Sequence, residues 1–188
     1  MTVPNLITIG RLLAVPVLIW ALIGGDWMLA FGIFVAAGIS DAVDGAIARH
    51  FDQHSDLGLY LDPIADKALL VSVFVGLALL GRLPDWLAIA VVSRDLLIVA
   101  AVLLSYVMGR PVVVRPLLVS KLNTVAQIVL AGVALGEPAF ELSLRAEIDF
   151  LVAVTVVLTG VSAAAYLVDW LRHMNAADDP SDRRGDPQ

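Results

Sequence analysis

Cysteine is absent from the 188 residues. That excludes a disulfide framework, a thiolate nucleophile and thiolate metal ligation. Charge is scarce: Asp, Glu, Lys and Arg make up 16% of the chain, and histidine occurs three times. What charge there is leans acidic, with a formal net charge of -6, which argues against a nucleic-acid partner. Internal repeats and low-complexity blocks are missing. Long polar stretches are missing too, apart from residues 175–188, so no separate extramembrane domain is expected.

Apolar sequence fills the space left over. The chain is 60% hydrophobic, with a mean hydropathy of +0.89. Soluble domains rarely reach such values, and the runs predict an all-α membrane protein. Six transmembrane helices are expected, at about Asn5 to Ile23, Met28 to Arg49, Leu57 to Leu80, Pro84 to Met108, Leu118 to Leu135 and Ile148 to Trp170. Gly24-Gly25-Asp26 and Gly81 to Pro84 read as turns. Short connections predict antiparallel packing of consecutive helices. Residues 1–174 form one transmembrane domain in this reading, and 175–188 a disordered polar tail. Trp27, Trp86 and Trp170 fall near predicted interfaces.

Orientation follows from the cations near the span ends. Arg49, Arg110, Arg115, Lys121, Arg172, Arg183 and Arg184 lie on one side, and only Arg82 and Arg145 on the other. Both termini are therefore expected in the cytoplasm. The opposite loop, GEPAFELSLRAEID, reads as long and acidic. The N-terminus shows neither a basic region with a cleavage site nor a transit-peptide composition. This favours a bacterial cytoplasmic (inner) membrane protein inserted by its own first span.

Against that apolar background stand Asp41, Asp44, Asp62 and Asp66. A carboxylate in hydrocarbon costs roughly 2.5–3.5 kcal/mol on insertion scales. Asp41 and Asp44 are i,i+3 and Asp62 and Asp66 are i,i+4, so each pair shares a helix face. An antiparallel turn centred near Gln53 would set Asp44 opposite Asp62 and Asp41 opposite Asp66. The first pair would then sit roughly 8–12 Å below Arg49, just under the cytoplasmic headgroups. Four carboxylates so close cannot all ionise without cations. Hard divalent ions, Mg²⁺ or Mn²⁺, fit oxygen donors of this kind, and two of them would clamp a diphosphate. Ion pairs with Arg49, Lys67 and Arg94 would nearly balance the charge, but would leave the spacing unexplained. Gly45, Ala48 and Gly58 give bare helix strips, suited to a ligand at the backbone or to close helix packing. Pro63 is expected to kink the third span or to start its regular part.

The spacing D-x2-D-G-x2-A-R-x8-G-x3-D-x3-D is complete at Asp41, Asp44, Gly45, Ala48, Arg49, Gly58, Asp62 and Asp66. It resembles the signature of the CDP-alcohol phosphatidyltransferases. The resemblance implies attack of an alcohol on the phosphorus that carries diacylglycerol in CDP-diacylglycerol, with release of CMP. It implies metal at Asp41, Asp44, Asp62 and Asp66, with Asp66 also the general base. It implies a CDP-lipid pocket at Gly45, Ala48, Arg49 and Gly58. Asn5, Thr8 and Arg11, in PNLITIGR, resemble the family's first-helix entry and are expected near the nucleotide.

The acceptor must be read outside the motif. Arg94, Arg115, Ser120 and Lys121 are the candidates, since an anionic acceptor needs cations. A buried ion pair or snorkelling is the plainer role for Arg94, and positive-inside flanking for Arg115 and Lys121. The segments WLAIAVVSRDLLIVAAVLL and GRPVVVRPLLVSKLNTVAQIVLAG resemble those of the family's cardiolipin synthases, whose acceptor is phosphatidylglycerol. The phosphatidylglycerophosphate synthases, which use glycerol 3-phosphate, typically carry Glu where Asp95 stands and Gly-Lys at Ser120-Lys121. Ser120, Asn123, Thr124 and Gln127 form a polar stretch that could meet a headgroup or bond across helices. His50, His54 and His173 are given no catalysis. Small-residue surfaces make a homodimer among membrane lipids an expectation. An intramembrane prenyltransferase or a cation transporter would also use buried carboxylates, but each fits the spacing or the one-sided clustering less well.

Overall fold

The computed structural model describes the backbone of residues 3–51, 56–107 and 118–176, and the side chains of 10–40, 67–101, 104 and 118–171. The described backbone is helical throughout, apart from short turns. The helices are α1 (Val3–Gly24), α2 (Trp27–Phe51), α3 (Asp56–Leu79), α4 (Asp85–Val107), α5 (Leu118–Ala139) and α6 (Arg145–Ala176). Of the six, α5 and the stretch Arg145–Leu171 are long and apolar enough, among the described residues, to cross a membrane.

Local chemistry places the turns where the glycines are. Gly25 and Gly81 have φ of 72° and 68°, the left-handed conformation that glycine adopts without a steric penalty. Around Gly25, Asp26 N–H donates to Ala21 O at 2.9 Å and Gly25 N–H to Leu22 O at 3.2 Å. This is a Schellman ending. Around Gly81 the same pattern recurs, with Arg82 N–H to Leu77 O and Gly81 N–H to Ala78 O, both 2.8 Å. Asp26 then caps α2: its Oδ1 accepts from Leu29 N–H at 3.0 Å.

Contacts close the helices into a ring in the order α1, α2, α5, α6, α4, α3 and back to α1, with a lighter contact of α3 and α5 across it. The pairs α1–α2, α3–α4 and α5–α6 pack side by side as expected, whereas the ring order sets α1 between α2 and α3 and α6 between α4 and α5. The core runs through the ring: Leu18 and Leu22 of α1, Phe74 and Leu77 of α3, Leu87 of α4 and Leu130 of α5 are all at most 2% exposed. Gly76 permits the closest approach, since a Cβ there would lie 2.7 Å from Leu22 Cδ1.

Two expectations are corrected. The loop expected from Gly136 is shorter, because α5 runs on to Ala139 and α6 starts at Arg145. Glu137 is only 6% exposed and is flanked by Arg82 and Arg145, so this acidic stretch packs as helix. Pro138 lies in the last turn of α5, where it cannot donate to Ala134 O and its ring crowds that carbonyl. Glu141 serves as the C-cap with φ of 54°, and Leu142 N–H donates to Glu137 O at 2.9 Å. At its other end α6 runs to Ala176. Finally, α3 begins at Asp56, so Pro63 falls within the helix and not at its start.

Candidate functional site

The motif falls on two helices. Asp41, Asp44, Gly45, Ala48 and Arg49 belong to the last turns of α2, and Gly58, Asp62 and Asp66 to the first half of α3. Asn5 and Thr8 lie in the first turns of α1, and both α2 and α3 pack on α1. The backbone is helical through both aspartate pairs, so the i,i+3 and i,i+4 spacings are those of one helix face. The side chains of these ten residues lie outside the described residues, and Arg115 lies outside them altogether.

A groove adjoins the motif end of α2. It measures about 740 Å³ and runs between α2, α3 and α5, with Ile39 and Arg11 toward the motif and Phe140 at the far end. Gly38, Gly132 and Gly136 are among its lining residues. Its walls are apolar, and Arg11 on them is 4% exposed.

The acceptor candidates separate. Lys121 is exposed, while Ser120 and Arg94 meet across 26 residues of sequence. Arg94 is 4% exposed. Its Nη1 donates to Asp95 Oδ1 at 2.7 Å, and its Nη2 to Ser120 Oγ at 2.5 Å and to Ser162 Oγ at 2.6 Å. Its Nε has no hydrogen-bond partner among the described residues. The guanidinium carbon stands 5.7 Å from the centre of the Tyr166 ring, within cation–π range. Asp95 Oδ2 pairs in turn with Lys67 Nζ. Charge thus alternates from Lys67 on α3 through Asp95 to Arg94 on α4, and ends on the hydroxyls of α5 and α6.

Arg94 also lines a second cavity, of about 400 Å³, between α4 and α6, together with Leu97, Ala101, Tyr166 and Trp170. The remaining polar residues of α5 divide between two sides. Asn123 is fully buried and accepts from Thr159 Oγ1 of α6 at 2.9 Å. Thr124 donates to its own helix at Ser120 O and lines the α2–α5 groove.

Sequence reasoning passed over Ser162 and Tyr166. Ser162 sits among small residues in GVSAAAY, and its partner lies 68 positions away, so no local pattern marks it. The signal for Asp95 was present in an Arg-Asp pair inside an apolar span.

The sequence pattern of the CDP-alcohol phosphatidyltransferases matches residues 1–170. The chain belongs to the CDP-alcohol phosphatidyltransferase family. Among curated proteins it is similar to human cardiolipin synthase (CMP-forming), 33% identical over 183 residues, which cover 88% of this chain and 60% of the human protein. It is also similar to the probable phosphatidylglycerophosphate synthase of Mycobacterium tuberculosis, 32% identical over 174 residues, covering 89% of this chain and 81% of that one. The cardiolipin synthase (CMP-forming) of Streptomyces coelicolor is 35% identical over 108 residues, covering 54% and 50%. The chain spans about three fifths of the length of the human and rat cardiolipin synthases it matches. Membership of this family removes the prenyltransferase and transporter readings.

Proposed function

We propose that the protein transfers the phosphatidyl group of CDP-diacylglycerol to the hydroxyl of phosphatidylglycerol, giving cardiolipin and CMP. The observation that carries this reading is the complete carboxylate motif on α2 and α3, at the end of an apolar groove. A lipid nucleotide needs both features: charge-compensating ligands for its diphosphate and an apolar path for its chains. The groove starts beside the motif helix, and its volume suits acyl chains.

The donor set fits a hard divalent cation, because all four candidates, Asp41, Asp44, Asp62 and Asp66, are carboxylates. Mg²⁺ or Mn²⁺ bound there, as two ions, would neutralise the diphosphate and the leaving CMP. Asp66 takes the proton of the acceptor hydroxyl as its oxygen bonds to the phosphorus bearing diacylglycerol; the bond from that phosphorus to the CMP oxygen breaks. Gly45, Ala48 and Gly58 leave room for the nucleotide, with Arg49, Asn5 and Thr8 beside it. Arg94, Ser120, Arg115 and Lys121 receive the acceptor. Of these, the meeting of Arg94 and Ser120 beside the α4–α6 cavity supports a phospholipid acceptor.

Six transmembrane spans in a bacterial inner membrane, with both termini and the site toward the cytoplasm, complete the reading. Large apolar side chains exposed on every helix support it, among them Ile23, Ile39, Leu79, Ile89, Leu118 and Phe150. So does the charge bias: Arg82 and Arg145, the exceptions to it, both stand near Glu137. Residues 1–174 act as one domain, and the protein works as a homodimer among membrane lipids.

The second reading, phosphatidylglycerophosphate synthase using glycerol 3-phosphate, is favoured by the coverage of the mycobacterial relative. Purified protein given CDP-diacylglycerol with either acceptor decides between them. Cardiolipin in the mass spectrum, with CMP release stopped by a chelator and restored by Mg²⁺ or Mn²⁺, supports the first. Phosphatidylglycerophosphate as the sole product sinks it.

A further inference from the structure

We propose that Asp95 is a positioning residue: by pairing with both Lys67 and Arg94, it fixes the turn of α3 that carries Asp66 against α4, α5 and α6. This rests on the reading that Asp66 acts in the reaction. Lys67 directly follows Asp66 and is the first described side chain after it. Its ammonium pairs with Asp95. Asp95 is held from its other oxygen by Arg94, and Arg94 by Ser120 and Ser162. One chain of charge and hydroxyl groups therefore runs from α3 into three other helices.

The apolar anchor of α3 nearest to Asp66 is Leu69, 5% exposed and three residues on. Val73, Phe74 and Leu77 are fully buried, but they stand two to three turns beyond Asp66. Together these hold α3 from Leu69 onward, and the Lys67–Asp95 pair adds a polar contact directly beside Asp66. Consecutive helix positions are about 100° apart, and side-chain ends lie about 5–6 Å from the axis. A rotation of about 10° moves such an end by about 1 Å. A misplacement of that size can cost on the order of 10²-fold in rate. The Lys67–Asp95 pair opposes that rotation. Its value to stability is small, because the Lys67 side chain is 48% exposed and exposed pairs contribute about 0–1 kcal/mol. A rate effect that a conservative cation restores, at an unchanged unfolding midpoint, is what separates positioning from mere support.

Removing Asp95 outright would strip the counter-charge from buried Arg94 and threaten folding. The test therefore centres on Lys67→Met in the full chain, assayed for CMP release from CDP-diacylglycerol with phosphatidylglycerol. The expected result is a fall in kcat of about 2- to 5-fold, with the KM for CDP-diacylglycerol and the unfolding midpoint unchanged. Lys67→Arg, which keeps a cation for Asp95, should recover most of the rate. Lys67→Met combined with Asp95→Asn should be no slower than Asp95→Asn alone. A rise in KM at constant kcat would place Lys67 on the substrate and overturn the proposal, as would unchanged kinetics. Amide exchange over residues 62–70 supplies a readout free of activity: it should quicken in Lys67→Met. If the wild-type protein releases no CMP with either acceptor, the functional reading fails by itself. The exchange then judges the clamp alone, and an unchanged pattern overturns it.

Discussion

Arg94 and Glu137 are both charged and both nearly buried, at 4% and 6% exposure, yet their surroundings differ in kind. They meet α5 at opposite ends: Ser120 holds Arg94, and Glu137 lies about 25 Å farther along the helix. Glu137 is a meeting point of turns. Arg82, just past α3, stands 3.5 Å from it and Arg145, at the start of α6, 3.7 Å. Arg82 also lies over the Trp27 ring at 5.0 Å, which brings in the start of α2. Charge closes on itself there; Glu137 itself lines neither cavity, although its neighbours Gly136 and Phe140 line the far end of the α2–α5 groove. Arg94 is held just as fully, but its Nε is left over, a cavity opens beside it, and its chain of partners leads to the residue after Asp66. On the proposed reading, one end of the bundle holds and the other acts.

That contrast breaks first, if it breaks, at Asp66. Asp66→Asn keeps the shape of the side chain and removes its proton-accepting charge. Turnover should fall by about 10²- to 10⁴-fold, while the unfolding midpoint does not drop. Full turnover in the variant would take the base away from α3 and end the division between the two regions.

Next in size is Gly76→Ala, which belongs to the holding region. The added Cβ would stand 2.7 Å from Leu22 Cδ1, and Leu22 is 2% exposed, with little space to yield. Overpacking of this kind costs about 1–3 kcal/mol, offset by the roughly 1 kcal/mol that Ala gains over Gly inside a helix, so a net loss of up to about 2 kcal/mol is expected. The unfolding midpoint should fall while CMP release per folded molecule stays the same. A variant more stable than the parent would show that α1 and α3 approach less closely than the packing indicates.

Glu137→Gln should cost less, about 1 kcal/mol, because Arg145 is 66% exposed and Arg82 31% exposed, so water can serve both once the charge is gone. Again the measure is stability at constant specific activity. A specific activity that falls with the charge would mean that the two ends are coupled, which the contrast denies.

The architecture was legible because its signals are local. Gly25 and Gly81 mark turns by the backbone conformation they alone adopt cheaply, and six apolar runs lie between such marks. The end of α5 was misread for a tertiary reason. Glu137 and Pro138 look like loop residues until Arg82 and Arg145 are folded beside them, and neither arginine advertises its partner. The same limit applied to the network. The Arg94-Asp95 pair was visible in the sequence, but Ser162 and Lys67 join it only through the ring order of helices, which periodicity does not specify. The motif was the reverse case: its eight positions are short-range in sequence and carried the family by spacing alone.

The smallest expected effect concerns the cap between α1 and α2. Asp26 Oδ1 accepts from Leu29 N–H at 3.0 Å, satisfying one of the amides that open α2. Asp26→Ala should lower stability by about 1 kcal/mol, and Asp26→Asn should restore most of it, because Asn caps nearly as well. Asp26 is exposed and starts a helix whose other end bears Asp41 and Asp44, so the pair of variants asks whether loosening one end of α2 reaches the other. Activity per folded molecule that stays level in Asp26→Ala keeps the holding and acting regions separate. A loss of rate in Asp26→Ala that Asp26→Asn reverses would make the cap part of the site's positioning and move the boundary between the two regions along α2.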